Sequence, residues 1–114
     1  MVIDYDGKGG CECTFSIATL VAYEQEFGRD MIQDVLGRVA VRDEDGTTVV
    51  DFRDTNWTAT TRALWAAIKT ANPKTQHYSE WCATAGPTNL YEVSNAVVEG
   101  MRLGFFRTGA EAEE

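Results

Sequence analysis

The chain has 114 residues, 44% hydrophobic and 11% aromatic, with ten Lys or Arg against eighteen Asp or Glu, a formal charge of −8. That length fits one domain of the usual ~100–200 residues, and three Trp, five Phe and four Tyr exclude a disordered polymer and can fill a core. The acidic balance excludes a generic nucleic-acid or anionic-membrane binder, which needs Lys and Arg laid on phosphate; it favours solubility and basic partners.

No run approaches the ~18–20 consecutive apolar residues of a membrane span. The opening MVIDYDGKGG has aspartates where a secretion signal needs a basic start and an apolar run. The three cysteines are therefore expected as free thiols in a reducing cytosol.

In chain order, Val2, Ile3 and Tyr5, the glycine-rich DGKGG, and Cys11, Cys13 and Phe15 predict a β-hairpin over residues 1–15. A first helix follows from about Ile17 to Phe27, capped by Thr14 or Ser16 and ended by Gly28. Asp30 offers a cap for a shorter segment whose Met31, Val35, Leu36 and Val39 keep helical spacing. Residues 40–55 lose that period and read as a mobile loop with an acidic turn, DEDG, and short strand pieces at Val41 and at Val49, Val50 and Phe52.

Trp57, Thr61, Leu64, Trp65 and Ile68 mark the clearest helix, ending near Ala71 because the residue before Pro73 avoids helical geometry. A short helix from about Thr75 to Ala83 carries Tyr78, Trp81 and Cys82 and stops at Gly86-Pro87. Thr88 or Asn89 caps the last helix, with Leu90, Val93, Val97, Met101 and Phe105 on its inner face. Gly100 and Gly104 weaken it but leave room for another backbone. The expectation is a mainly helical α+β domain: a hairpin, a body of about four to five helices over residues 16–107, and an acidic tail at 108–114.

The chemistry-bearing residues do not converge. Cys11, Cys13, His77 and Cys82 have the atoms of a zinc site but not its spacing, because Cys11 and Cys13 lie in a strand and His77 and Cys82 point to different helix faces. The thiols read instead as small apolar residues. Covalent catalysis lacks a recognisable nucleophile turn and has only one histidine to serve as base. DEDGTTVVDF departs from a calcium loop at its sixth and twelfth positions, and GKGG is too short for a phosphate loop. No catalytic residue, metal or cofactor is expected.

Glu24 is the exception worth pursuing. It falls among Ile17, Leu20, Val21 and Phe27 on one face of the first helix, so it reads either as a buried carboxylate paired with Arg29, Arg38, Arg53 or Arg62, or as part of an interface. The tryptophans Trp57, Trp65 and Trp81 read as core. Leu90, Tyr91, Val98, Phe105 and Phe106 extend beyond one narrow stripe of the last helix and are the candidate partner-binding residues, the competing reading being that they close the domain's own core.

Taken in order, the DGK hairpin, the CEC strand leading into FSIATLVAYEQEFGRDMIQDVLGRV, the acidic loop, WTATTRALWAAIKTANP, YSEW and NLYEVSNAVVEGMRLGFFR resemble the tail assembly chaperones of long-tailed bacteriophages and prophages. That resemblance implies a non-enzymatic protein of the bacterial host cytoplasm that self-associates, binds the tape measure protein, keeps it soluble and yields it to the major tail tube protein. It supplies no catalytic residues and fixes no contact positions. The alternatives are a small tail or head–tail component retained in the virion and, remotely, a metal- or cysteine-dependent enzyme.

Overall fold

The computed structural model describes residues 1–38, 40–44, 47–51, 56–85 and 89–106. The amino-terminal hairpin pairs β1 (Val2–Ile3) with β2 (Cys11–Glu12) antiparallel, Val2 opposite Glu12 and Ile3 opposite Cys11. Its turn is closed by aspartates: Asp4 Oδ1 accepts from Gly7 N–H and Asp6 Oδ1 from Lys8 N–H, both at 2.9 Å. Alternation then sends Ile3, Tyr5 and Cys13 inward, where all three are buried.

Helix α1 (Ile17–Phe27) starts at Ser16, whose backbone N–H donates to Thr19 Oγ1 at 3.1 Å. It ends because Gly28 takes the left-handed conformation at φ 66° and returns its N–H to the Glu24 carbonyl. Asp30 caps α2 (Met31–Val35) by accepting from Gln33 N–H at 3.0 Å, and a 3₁₀ turn at Leu36–Arg38 follows.

The expected mobile loop is corrected in part. Ala40–Glu44 (β3) and Thr47–Asp51 (β4) form a regular antiparallel ladder in which Val41 faces Val50 and Glu44 faces Thr47. The β-branched run TTVV supports a strand, and the short strand pieces expected at Val41 and at Val49 and Val50 fall within this ladder. Val39, Phe52, Gly86, Pro87, Thr88, the rest of the expected acidic loop and the 108–114 tail lie outside the described residues.

Helix α3 (Trp57–Ala71) is the central element and packs on α1, α2, β2, α4 (Tyr78–Ala85) and α5 (Leu90–Phe105). Its buried residues explain this position: Ala59, Ala63, Ala66 and Ala67 let neighbouring helices approach, while Leu64, Trp65 and Ile68 fill the space between them. Trp65 contacts Phe27 and Tyr78 edge-on at centroid distances of 5.7 and 5.8 Å and donates its indole N–H to the Gln76 carbonyl at 2.9 Å. Trp81 is buried too, whereas Trp57 at the start of α3 is 38% exposed.

Asn89 caps α5 by accepting from Glu92 N–H at 3.2 Å. Gly100 and Gly104 then form a notch for Phe15: a methyl group on Gly104 would overlap the Phe15 carbonyl oxygen, and one on Gly100 would meet the Phe15 ring. The hairpin is thereby seated on the last helix. A Thr14 N–H bond to the Ala67 carbonyl at 3.0 Å fixes it to α3 as well.

Candidate partner-binding surface

Helix α1 turns its hydroxyl-bearing face inward. Thr19 and Tyr23, one turn apart, are fully buried, and both hydroxyls are satisfied: Thr19 Oγ1 donates to the Thr14 carbonyl at 2.6 Å and Tyr23 Oη to Asp34 Oδ2 at 2.8 Å. Arg29 completes the cluster, with Nε 2.9 Å from Asp34 Oδ1 and 2.8 Å from Oδ2. These Arg29 bonds hold the Asp34 carboxyl below the usual carboxylate range; burial opposes them and the Tyr23 hydroxyl reinforces them. Burial, followed by the hydrogen bond to Asp34, pushes the Tyr23 phenol up. Phe27 continues this face, edge-on to Tyr23 at 4.9 Å and under the Arg62 guanidinium at 5.3 Å.

The same rotation carries the other stripe outward. Ile17 is 71% and Val21 47% exposed, and Glu24, next along that line, is exposed as well. The reading of Glu24 as a buried paired carboxylate is therefore corrected. Leu20 and Phe27 pack at the edge of the core, Ile17, Val21 and Glu24 look away from it, and the buried carboxylate of this region is Asp34. The expectation that Arg29 could pair with Glu24 is corrected as well: its partner is Asp34.

The five positions proposed on the last helix separate. Leu90, Tyr91 and Phe106 are exposed. Val98 is buried and Phe105 packs partly buried against the core, so the partner-binding expectation is corrected for these two and the inner-face placement of Phe105 holds, whereas that of Leu90 does not: Val98 and Phe105 lie on the side of α5 that carries Ser94, Val97 and Met101, all buried. Leu90 and Tyr91 sit in the first turn of α5 and Phe106 just past its last, so the exposed members occupy opposite ends of the helix. Between hairpin and helix lies an open cleft of about 270 Å³, walled by Met1, Phe15 and Leu103 and floored by Gly100 and Gly104. Its one carboxylate, Glu12, is bonded to the amino group of Met1 at 2.9 Å.

No family model, curated protein or solved structure matches the chain. Its chemistry rests on the side chains alone. Among the described residues, no group of three or more His, Cys, Asp or Glu side chains could hold a metal ion. Burial pushes the Cys13 thiol up to about 12, with Cys11 adding to the shift, so Cys13 stays protonated at neutral pH. Cys11 is half-buried with its sulfur 3.6 Å from the Tyr5 hydroxyl, and Cys82 is exposed on α4. His77 is exposed immediately before α4. The described residues present exposed apolar side chains at Ile17, Val21, Leu90, Tyr91 and Phe106.

Sequence reasoning left the face of Ile17 and Val21 open between core and interface and passed over Asp34 as the buried acid. A usable signal was present in α1: Tyr23 and Phe27 form an i, i+4 aromatic pair on a face rotated away from Ile17, Val21 and Glu24. Two aromatic rings outweigh one Ile and one Val in buried area, so that face goes inward.

Proposed function

We propose that this chain is a non-enzymatic tail assembly chaperone of a long-tailed bacteriophage or prophage. In this reading it works in the bacterial cytoplasm, self-associates, binds the tape measure protein, keeps that long apolar helical protein soluble and helps recruit the major tail tube protein. The observation that carries the proposal is the coexistence of a filled core with large apolar side chains outside it: Ile17, Val21, Tyr91 and Phe106 are all 47% or more exposed on a molecule of charge −8. A holdase needs this combination, because open apolar surface supplies the attraction for a client helix while net charge keeps the unloaded protein in solution. The sequence resemblance supplies the identity of the client.

The test is co-expression with the tape measure protein that this reading expects to be encoded beside it. Soluble yield of the long protein is expected to rise, and the two are expected to co-purify. An unchanged yield with no co-purification would remove the reading, and stoichiometric retention of the chain in mature particles would replace it with that of a structural tail component.

A further inference from the structure

The outer face of α1 sets exposed apolar side chains beside an acidic helix end. Its last turn contains Glu24 and Glu26 and no basic residue, at the helix end where the backbone dipole is already negative. The positions three and four residues from Glu24 are Leu20, Val21, Phe27 and Gly28, so no cation on the same helix compensates it. Glu12 at the cleft is answered by the Met1 amino group at 2.9 Å, Glu99 on α5 by Arg102 at 2.8 Å and Asp34 by Arg29, while Glu92, beside Leu90 and Tyr91, lies in the first turn of α5, where the helix dipole is positive. Among the described residues Glu24 has no ion-pair partner, and it stands directly in line with the exposed Ile17 and Val21.

We infer that Ile17, Val21 and Glu24 form a docking strip for an amphipathic helix that carries a Lys or Arg at the edge of its apolar stripe. The apolar stripe covers Ile17 and Val21, and the cation meets Glu24 at the negative end of α1. Ala18, exposed beside Ile17, offers no bulk to keep a second helix away. A second copy of this chain is the poorer occupant, because it brings another eight negative charges and presents the same acidic end. The inference rests on the chaperone reading only for the source of the client helix; the chemistry of the strip is independent of it.

Two synthetic helices of about 20 residues, long enough to hold helical structure, test the strip. They share one Leu-Ala stripe and differ only in carrying Lys or Glu at both stripe edges, so that either docking direction brings one charge beside Glu24. The Lys peptide is expected to bind the full chain at least about threefold more tightly than the Glu peptide at low salt, a difference that shrinks as salt screens it. Chemical shift changes should centre on the Ile17 and Val21 methyl groups. Glu24→Lys is expected to reverse the preference, and Ile17→Ser with Val21→Ser to weaken both peptides about tenfold or more. All three side chains are exposed, and unchanged thermal unfolding of the variants confirms that the fold is intact.

Absence of binding, equal binding of both peptides to wild type and Glu24→Lys, or shift changes centred on Tyr91 or Phe106 would overturn the inference. So would self-association, seen by sedimentation, that Ile17→Ser abolishes. Tape measure co-purification that survives Ile17→Ser with Val21→Ser overturns this strip as the client contact and leaves the chaperone reading standing. Failure of the wild type to co-purify removes that reading without touching the peptide result.

Discussion

Helices α1 and α3 both carry apolar residues at helical spacing, and they use them in opposite ways. In α3 the stripe through Leu64, Trp65 and Ile68 is buried and every neighbouring alanine but Ala71 is sealed beneath other helices. In α1 Ile17 and Val21 remain outside, while Thr19 and Tyr23 take the interior. The difference shows that burial follows satisfied packing rather than hydrophobicity alone. Thr19 and Tyr23 enter the core because the Thr14 carbonyl and Asp34 complete their hydrogen bonds, and because Tyr23 with Phe27 brings more ring area than Ile17 with Val21.

The contrast can be broken most forcefully at Trp65. Trp65→Ala removes contacts with Phe27 and Tyr78 and is expected to cost about 3–5 kcal/mol, the range for large aromatic truncations in cores, seen as a lower midpoint in urea unfolding. Unfolding close to that of the wild type would mean that α3 is not the centre of the core.

A smaller effect is expected where α1 meets Asp34. Asp34→Asn keeps the shape but replaces a charged acceptor with a neutral one and should lower stability at neutral pH by about 1–2 kcal/mol. The folded carboxyl of Asp34 lies below its unfolded value of about 3.9. Its contribution is therefore complete above about pH 4 and is lost as the pH falls through the depressed folded value. Unfolding measured from pH 7 to about pH 2 should show the stabilities of wild type and Asp34→Asn converging in acid; a constant gap would exclude ionised Asp34 as the stabilising species.

The smallest effect sharpens the comparison. Ile17→Ser lies on the outward side of α1 and should change unfolding free energy by no more than about 0.5 kcal/mol, the usual scale for surface substitutions. A loss of about 2 kcal/mol, measured by the same urea titration, would place Ile17 in the core and undo the distinction between the helices.

Much of the fold was legible because it depends on local signals. Gly28, Asp30, Asn89 and the Asn72-Pro73 pair are read directly from backbone preferences, and they set the ends of α1, α2, α3 and α5. The short helix was placed three residues early at its start: α4 begins at Tyr78, with the His77 carbonyl accepting the Trp81 N–H at 2.9 Å. The candidate site was less legible, because the rotation of α1 is set by partners far along the chain. No spacing rule couples Tyr23 to Asp34 across the break at Gly28, and so Glu24, the carboxylate interrupting the obvious stripe, drew attention away from the acid that is buried. On α5 periodicity identified the inner side but could not tell how far it extends; Val98 and Phe105 fall within it.

The seating of Phe15 against Gly100 and Gly104 has a consequence for synthesis. Phe15 finds its socket only in a helix translated much later, so on the ribosome its ring must wait, uncovered, until Gly100 and Gly104 have emerged. Closing so distant a contact costs chain entropy that local helices do not incur, which makes the docking of hairpin to final helix a late event in folding.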